Sequence, residues 1–235
     1  MSTVIYSYIK VFREKKYRDD FINGNLFMNR LSFFKNYEEK KENNICDRFE
    51  AVTGWYQPSQ VSLEIAGIEV PTTDIAAPIS FQMESHNNLN IFCMYAVHSN
   101  EVKYICEENM QAFRESMKIN SDIESLGDHC VIVYNCTEFN TRVLNAIKKH
   151  RFSGGMGLVK YYDPGSFSGN FAPDQAAFHK QLKFQHQNEY RIAIDRQCPG
   201  SDAFPLNIGN ISDICIACKT SEINSMLEVN LPQGV

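Results

Sequence analysis

The longest apolar runs in this chain, such as Ile91 to Val97 (IFCMYAV), reach only strand length. These runs do not alternate strictly with helical stripes, and this limits the available folds more than any single motif does. A membrane-crossing helix needs roughly 20 apolar residues, so no membrane partner is expected. Apolar residues recur with period two in Thr3 to Ile9, and short apolar stretches of strand length occupy Val61 to Ile65, Ile68 to Val70, Ile79 to Met83, Ile91 to Val97, Cys130 to Tyr134, Leu158 to Tyr162, Glu189 to Ile194 and Ile214 to Ala217. A period of two is the signature of a pleated strand with one buried face. Helical spacing is rarer. It appears over Phe12, Tyr17, Phe21 and Ile22, over Met110, Phe113 and Met117, and over Phe139, Val143 and Ile147, with a short helix near Gln175 to Lys183 and a terminal one from Ser221. Strands outnumber helices without strict βαβ alternation, so the pattern predicts one α+β domain over residues 1–235 with a mixed, mostly antiparallel sheet flanked by helices.

Smaller features fill in this map. Asn23-Gly24 stops the first helix, Leu26 to Met28 and Leu31 to Phe34 read as short extended pieces, and the strands between Val61 and Val97 read as a meander of hairpins. The charged stretch NYEEKKENN has no apolar face to bury, so a mobile segment is expected near residues 38–48. Ser153 to Gly157 reads as a glycine turn, and residues 163–173 (DPGSFSGNFAP) as a long loop.

Composition narrows the functional classes. With 23 basic and 28 acidic residues the formal charge is −5, which argues against a general nucleic-acid coat. The eight cysteines are scattered, and the N-terminus MSTVIYSYIKVFREKK lacks the order of a secretory signal. Reduced thiols in a cytoplasmic protein are the expectation. Cys215 and Cys218 form a CxxC with no second pair and no spaced histidines, so no metal site is expected there, and the pair reads as part of a buried strand.

The richest segment is Phe184 to Asp195 (FQHQNEYRIAID). As a strand it puts Tyr190, Ile192 and Ile194 on one face, with Gln187, Glu189, Arg191 and Ala193 on the other. A row of amide, carboxylate and guanidinium beside His179, Lys180, Lys183 and His186 suits a cleft that receives an anionic substrate. The plain alternative is a solvated ion pair of Glu189 with Arg191. A second polar cluster gathers Arg30, Ser32, Tyr37, Asp47, Arg48 and Glu50 among aromatic residues. Such residues either converge on a ligand or serve as ordinary loop chemistry.

Taken together, NGNLFMNRLSFFKNYEE, DRFEA and FHKQLKFQHQNEYRIAI resemble a broad family of mostly uncharacterised bacterial and phage proteins similar to the ADP-ribosyltransferase fold. The resemblance follows the order of elements over most of residues 4–195 and some 30 positions by residue. It implies an enzyme that uses NAD as substrate and modifies a nucleic-acid or protein acceptor, in the setting of phage–host conflict and toxins. An antitoxin or inhibitor protein would then be a partner. It also implies Glu189 as the carboxylate that stabilises the oxocarbenium-like transition state when nicotinamide leaves, with Gln187 orienting the acceptor. Arg30, Arg48 and Arg191 become candidates for pyrophosphate or acceptor contacts. Tyr8 on the first strand, with Ser32 and Tyr37, stands where the family places its dinucleotide-holding residues; the strand offers Tyr6, Tyr8 and Lys10 in place of the family's His or Arg. Two other readings stay open. One is a non-catalytic nucleotide- or protein-binding module on the same scaffold, marked by a filled or apolar cleft beside Glu189. The other is a nuclease with Asp47, Glu50 and Glu189 around a divalent ion.

Overall fold

A computed structural model describes residues 3–36, 47–99, 102 and 104–228. The chain runs β1 (Ile5–Phe12), α1 (Lys15–Ile22), β2 (Asn25–Arg30), α2 (Leu31–Asn36), β3 (Val52–Tyr56), β4 (Leu63–Ile65), β5 (Ile68–Val70), β6 (Ile79–Gln82) and β7 (Asn90–His98). It continues with α3 (Glu107–Met117), β8 (His129–Val133), α4 (Cys136–His150), β9 (Ser153–Leu158), β10 (Lys160–Tyr162), β11 (Gly169–Asn170) and β12 (His179–Gln181). The last elements are β13 (Glu189–Asp195), β14 (Phe204–Asn207), β15 (Cys215–Lys219) and α5 (Ile223–Met226). The result is a mixed α+β domain whose main sheet is antiparallel throughout its described pairings.

β7 organises that sheet. One of its edges is taken by β13 from Glu189↔Tyr95 to Ile194↔Asn90, with β9 beyond. Its other edge is divided, because β1 pairs with its end (Ser7↔Val97, Ile9↔Tyr95) and β2 with its start (Asn29↔Ile91, Arg30↔Asn90). Two branches follow, β8 and β15 beyond β1, and β14 beyond β2. On one face Tyr8, Phe92, Met94, Tyr190, Ile192 and Ile194 meet Phe21 of α1 and the Phe139, Val143, Ile147 stripe of α4. That stripe is the helical spacing of the sequence, and Asn135 caps the helix by accepting the Glu138 N–H at 3.0 Å. The opposite face carries two smaller apolar groups. One comprises Leu31, Ala51, Ile91, Ala193 and Ala176 to Phe178, and the other Ile9, Val97, Cys130, Ile132 and Ile223.

Several expectations need correction. Phe12 ends β1 rather than starting the helix, and Leu31 to Phe34 form helix α2 rather than an extended piece. Only β4 and β5 make a local hairpin, through Ala66-Gly67, both at positive φ; β6 pairs with β3 and β7 with β1, β2 and β13, so there is no meander. Ser153 to Gly157 is strand β9, not a turn. Gly154 has a steric cause, since a Cβ there would lie 2.4 Å from the Ala193 carbonyl oxygen of the neighbouring strand, whereas Gly157 has nothing within 4 Å. Where a helix was expected near Gln175 to Lys183, two 3-10 turns flank the short strand β12. Cys215 and Cys218 do lie on a strand, but it is the partly exposed edge strand β15. Residues 163–173 are irregular apart from the two-residue strand β11, which pairs with β3, and are tied down by stacking of Phe167 on Phe171 and of Phe171 on His179. The expected mobile segment falls, apart from Asp47 and Arg48, outside the described residues.

Candidate functional site

On the face of the sheet opposite α1 and α4, four charged side chains from three separate stretches meet. Glu189 opens β13 across from Tyr95, and Arg191 follows on the same face across from Cys93. Lys180 is the middle residue of β12. Glu50 comes from the turn leading into β3, where the next residue, Ala51, has a φ of 54°. All four are buried: Glu50 is 2% exposed, Lys180 4%, Glu189 5% and Arg191 2%.

Each charge has partners of opposite sign. Arg191 donates from Nε to Glu189 Oε1 (2.6 Å), from Nη1 to Glu50 Oε2 (2.8 Å) and from Nη2 to Glu50 Oε1 (3.2 Å), and Nη1 also reaches the Ala177 carbonyl (2.5 Å). Lys180 Nζ lies 2.8 Å from Glu189 Oε2 and 3.1 Å from Glu50 Oε1, and donates to Gln187 Oε1 at 2.9 Å. The four formal charges cancel. Burial pushes the Glu189 carboxyl up, but the charges of Arg191 and Lys180 outweigh it and hold the group far below the usual carboxylate range. Burial likewise disfavours the charged forms of Lys180 and Arg191, and Glu189 with Glu50 reverses this, so both titrate above their ordinary values. Glu189, Lys180 and Arg191 are therefore ionised at neutral pH. Glu189 cannot serve there as a proton carrier, only as a fixed negative charge.

Groups at the border are less settled. Burial, reinforced by the charge of Glu50, pushes the Asp47 carboxyl up to about 6. Asp47 Oδ1 accepts the Phe49 N–H at 2.9 Å, while among the described residues the buried Oδ2 has no hydrogen-bond partner, and neither does the buried hydroxyl of Tyr162. Half-buried Lys10 donates to the Cys93 carbonyl at 2.6 Å, and burial of its ammonium lowers its pKa against the opposing pull of Cys93 and Glu189. Tyr161 accepts the Glu189 backbone N–H at 3.0 Å, and Asn188 donates to the Tyr95 hydroxyl at 2.8 Å.

The sequence-derived candidates divide sharply. Glu189, Arg191 and Gln187 come together. Gln187 arrives by a different route from the one expected, because it ends the 3-10 turn Leu182–Gln187 and Asn188 follows at a φ of 38°, so it reaches Lys180 from outside the strand. Tyr8 lies on the other face, fully buried with its ring 4.4 Å from that of Tyr190 and its hydroxyl on Asn140; it cannot share a ligand with Glu189. Arg30 is also buried, and its guanidinium is spent on the carbonyl oxygens of Asn88 and Cys198. Ser32 is half-buried on α2 and Arg48 is exposed with its guanidinium 4.6 Å over Phe49; neither joins the ion pairs. Tyr37 lies outside the described residues. Lys180 was visible in the sequence only as part of a basic run, and Glu50 as a member of the second polar cluster and, beside Asp47 and Glu189, of the nuclease reading.

Glu50 and Glu189 do not form a cation site, because Lys180 and Arg191 already fill the space between their oxygens. Among the described residues no group of three or more His, Cys, Asp or Glu side chains is placed to hold a metal ion. A surface groove of about 420 Å³, lined by Arg114, Lys118, Asn224 and neighbours on α3 and the C-terminal end, contains none of the cluster residues. No helix among the described residues is long and apolar enough to cross a membrane. No protein-family model, no curated protein and no solved structure matches this chain.

Proposed function

We propose that the Glu50, Lys180, Glu189 and Arg191 cluster is the working centre of an ADP-ribosyltransferase-like enzyme that uses NAD and modifies a nucleic-acid or protein acceptor. The observation that carries this reading is the burial of four charges where apolar side chains would fold at least as well. Two ion pairs taken out of water cost several kcal/mol per ion before their mutual attraction is counted, and such clusters concentrate at functional sites. Glu189 is held ionised and immobile, the state required of a carboxylate that faces positive charge developing on a ribose ring. Gln187 is tied to the same lysine as Glu189, which keeps amide and carboxylate together without a shared strand. For turnover, a ribose hydroxyl must replace one of the two cations now on Glu189.

The filled state of the cluster supports a second reading. Both Glu189 oxygens are occupied and the residue is 5% exposed, the sign expected of a non-catalytic nucleotide- or protein-binding module on this scaffold. Incubating the protein with NAD and mixed RNA, DNA and protein acceptors separates the two. Nicotinamide release that is lost in a folded Glu189→Gln variant supports the enzyme. NAD binding without release supports the module, and release unchanged in Glu189→Gln removes Glu189 from the chemistry.

A further inference from the structure

Cys215 and Cys218 look like a vicinal pair in sequence, but on a strand residues three apart point to opposite faces. Cys215 packs against the α1/α4 core, while Cys218 belongs with Ile9, Cys130, Ile132 and Ile223 on the other side. The partner of Cys218 lies across the sheet: β15 pairs antiparallel with β8 in the register Cys218↔Cys130. The Tyr134 N–H to Ile214 carbonyl bond and the Thr220 N–H to Asp128 carbonyl bond bracket this ladder. Pairs of the hydrogen-bonded kind recur every second residue, so Cys130 and Cys218 form one, with Cα atoms about 5.5 Å apart. That lies within the span of roughly 4.4–6.8 Å that a disulfide bridges. Both thiols are reduced in this structure.

We infer that Cys130 and Cys218 are a covalent modification site, a dithiol that closes to a cross-strand disulfide with a two-electron oxidant such as oxidised glutathione. Cys218 is partly exposed and Cys130 fully buried, so the order of events follows from access. The Cys218 thiolate attacks one sulfur of glutathione disulfide and releases the first glutathione as thiolate. The Cys130 thiolate then attacks the Cys218 sulfur of that mixed disulfide and releases the second. One S–S bond is broken and one formed, the protein dithiol loses two electrons and two protons, and the oxidant leaves as two thiols. Burial raises the pKa of both protein thiols, so closure is slow at neutral pH and accelerates about tenfold per pH unit while the thiolate fraction limits the rate. The bond would staple the edge strand β15, which leads into α5, to its neighbour β8.

The test treats the whole protein with glutathione disulfide at pH 7 and pH 9, then maps peptides without reduction. The expected result is a single linked peptide pair containing Cys130 and Cys218, an intact mass lower by two hydrogens, reversal by dithiothreitol, and hydrogen exchange of β15 amides slowed about tenfold. Cys130→Ser is expected to stop at a glutathione adduct on Cys218, and Cys218→Ser to leave Cys130 unmodified. The inference is overturned if Cys218 accumulates only as the adduct in the wild-type protein, if the linkage joins other cysteines, or if the mass loss persists in Cys130→Ser. If neither cysteine reacts while both react in the urea-unfolded chain, the site is also refuted.

Discussion

Glu189 has two positive partners, and Lys180 and Arg191 each have two negative ones, so the loss of any one charge leaves an uncompensated ion in an apolar surround. Glu189→Gln is accordingly expected to destabilise the fold by about 3–5 kcal/mol, readable as a lower urea midpoint at constant slope. Combining it with Lys180→Met removes one charge of each sign, and the double variant should lose less than the sum of the singles, with a coupling of about 1–3 kcal/mol. Asp47 behaves in the opposite sense. Its folded pKa, about 6, is raised above the ordinary carboxylate value, so the folded chain binds this proton more tightly than the unfolded one. The resulting stabilisation is full below pH ~4 and is lost as pH rises through about 6. Asp47→Asn keeps an oxygen for the Phe49 N–H, so it should raise stability at pH 8 by about 3 kcal/mol and leave it unchanged near pH 4. Thermal melts of both proteins across that range measure the difference. Sequence could reach only part of this centre. Period-two alternation was enough to put Glu189 and Arg191 on one polar face, because that pattern is local. Glu50 lies some 140 positions from Arg191, and no local pattern links them. Tyr8 was misplaced because a tyrosine on a strand looks the same whichever face is buried.

At the scale of elements, the legible segments are those whose own packing imposes a length or a period. β7, β8 and β13 are strand-length segments buried on both faces and α4 buries one helical stripe, and each was readable. The illegible ones owe their conformation to neighbours. α2 is six residues long, too short to show a helical stripe, and β9 carries a glycine at 154 because β13 crowds its backbone there. The same crowding fixes the turn after α1. Gly24 has a φ of +90°, and a Cβ there would fall 1.9 Å from the Gly209 carbonyl oxygen. Gly24→Ala would force β2 away from the segment that follows β14, where Gly24 O accepts the Ile208 N–H at 2.9 Å. A loss of about 3 kcal/mol or more is expected, with increased amide exchange concentrated in β2 and β14. The cap of α4 should matter less. Asn135→Ala removes one acceptor from an otherwise intact helix and should cost about 1 kcal/mol, again read from denaturant melts.

For the whole molecule, the consequence of a forked sheet is that both branches are closed by the last part of the chain. β14 covers β2 through Phe204↔Met28 to Asn207↔Asn25, and β15 covers β8 through Cys215↔Val133 to Lys219↔His129. The central strand also waits for late partners, since β7 receives β13 only after α4 and β9 have been laid down. Long-range pairings must close large loops before any contact repays the lost entropy, which slows folding relative to helical chains of this size. A chain ending at Pro199 keeps β7, β13 and the charged cluster but exposes the open edges of β2 and β8. It also loses Leu206, Ile208, Ile211 and Ile214, all buried against the α1/α4 face. Such a truncation is expected to abolish cooperative unfolding and to expose apolar surface, seen as strong dye binding and a broad, low-amplitude melt. A sharp transition in that shorter chain would mean instead that β7 with β13, β1 and β8 forms a self-sufficient core and that the terminal strands are accessories to it. The distinction bears on the charged cluster, because its four residues all lie before residue 199. If the ion pairs require the complete sheet, the site cannot form until the last strand has docked.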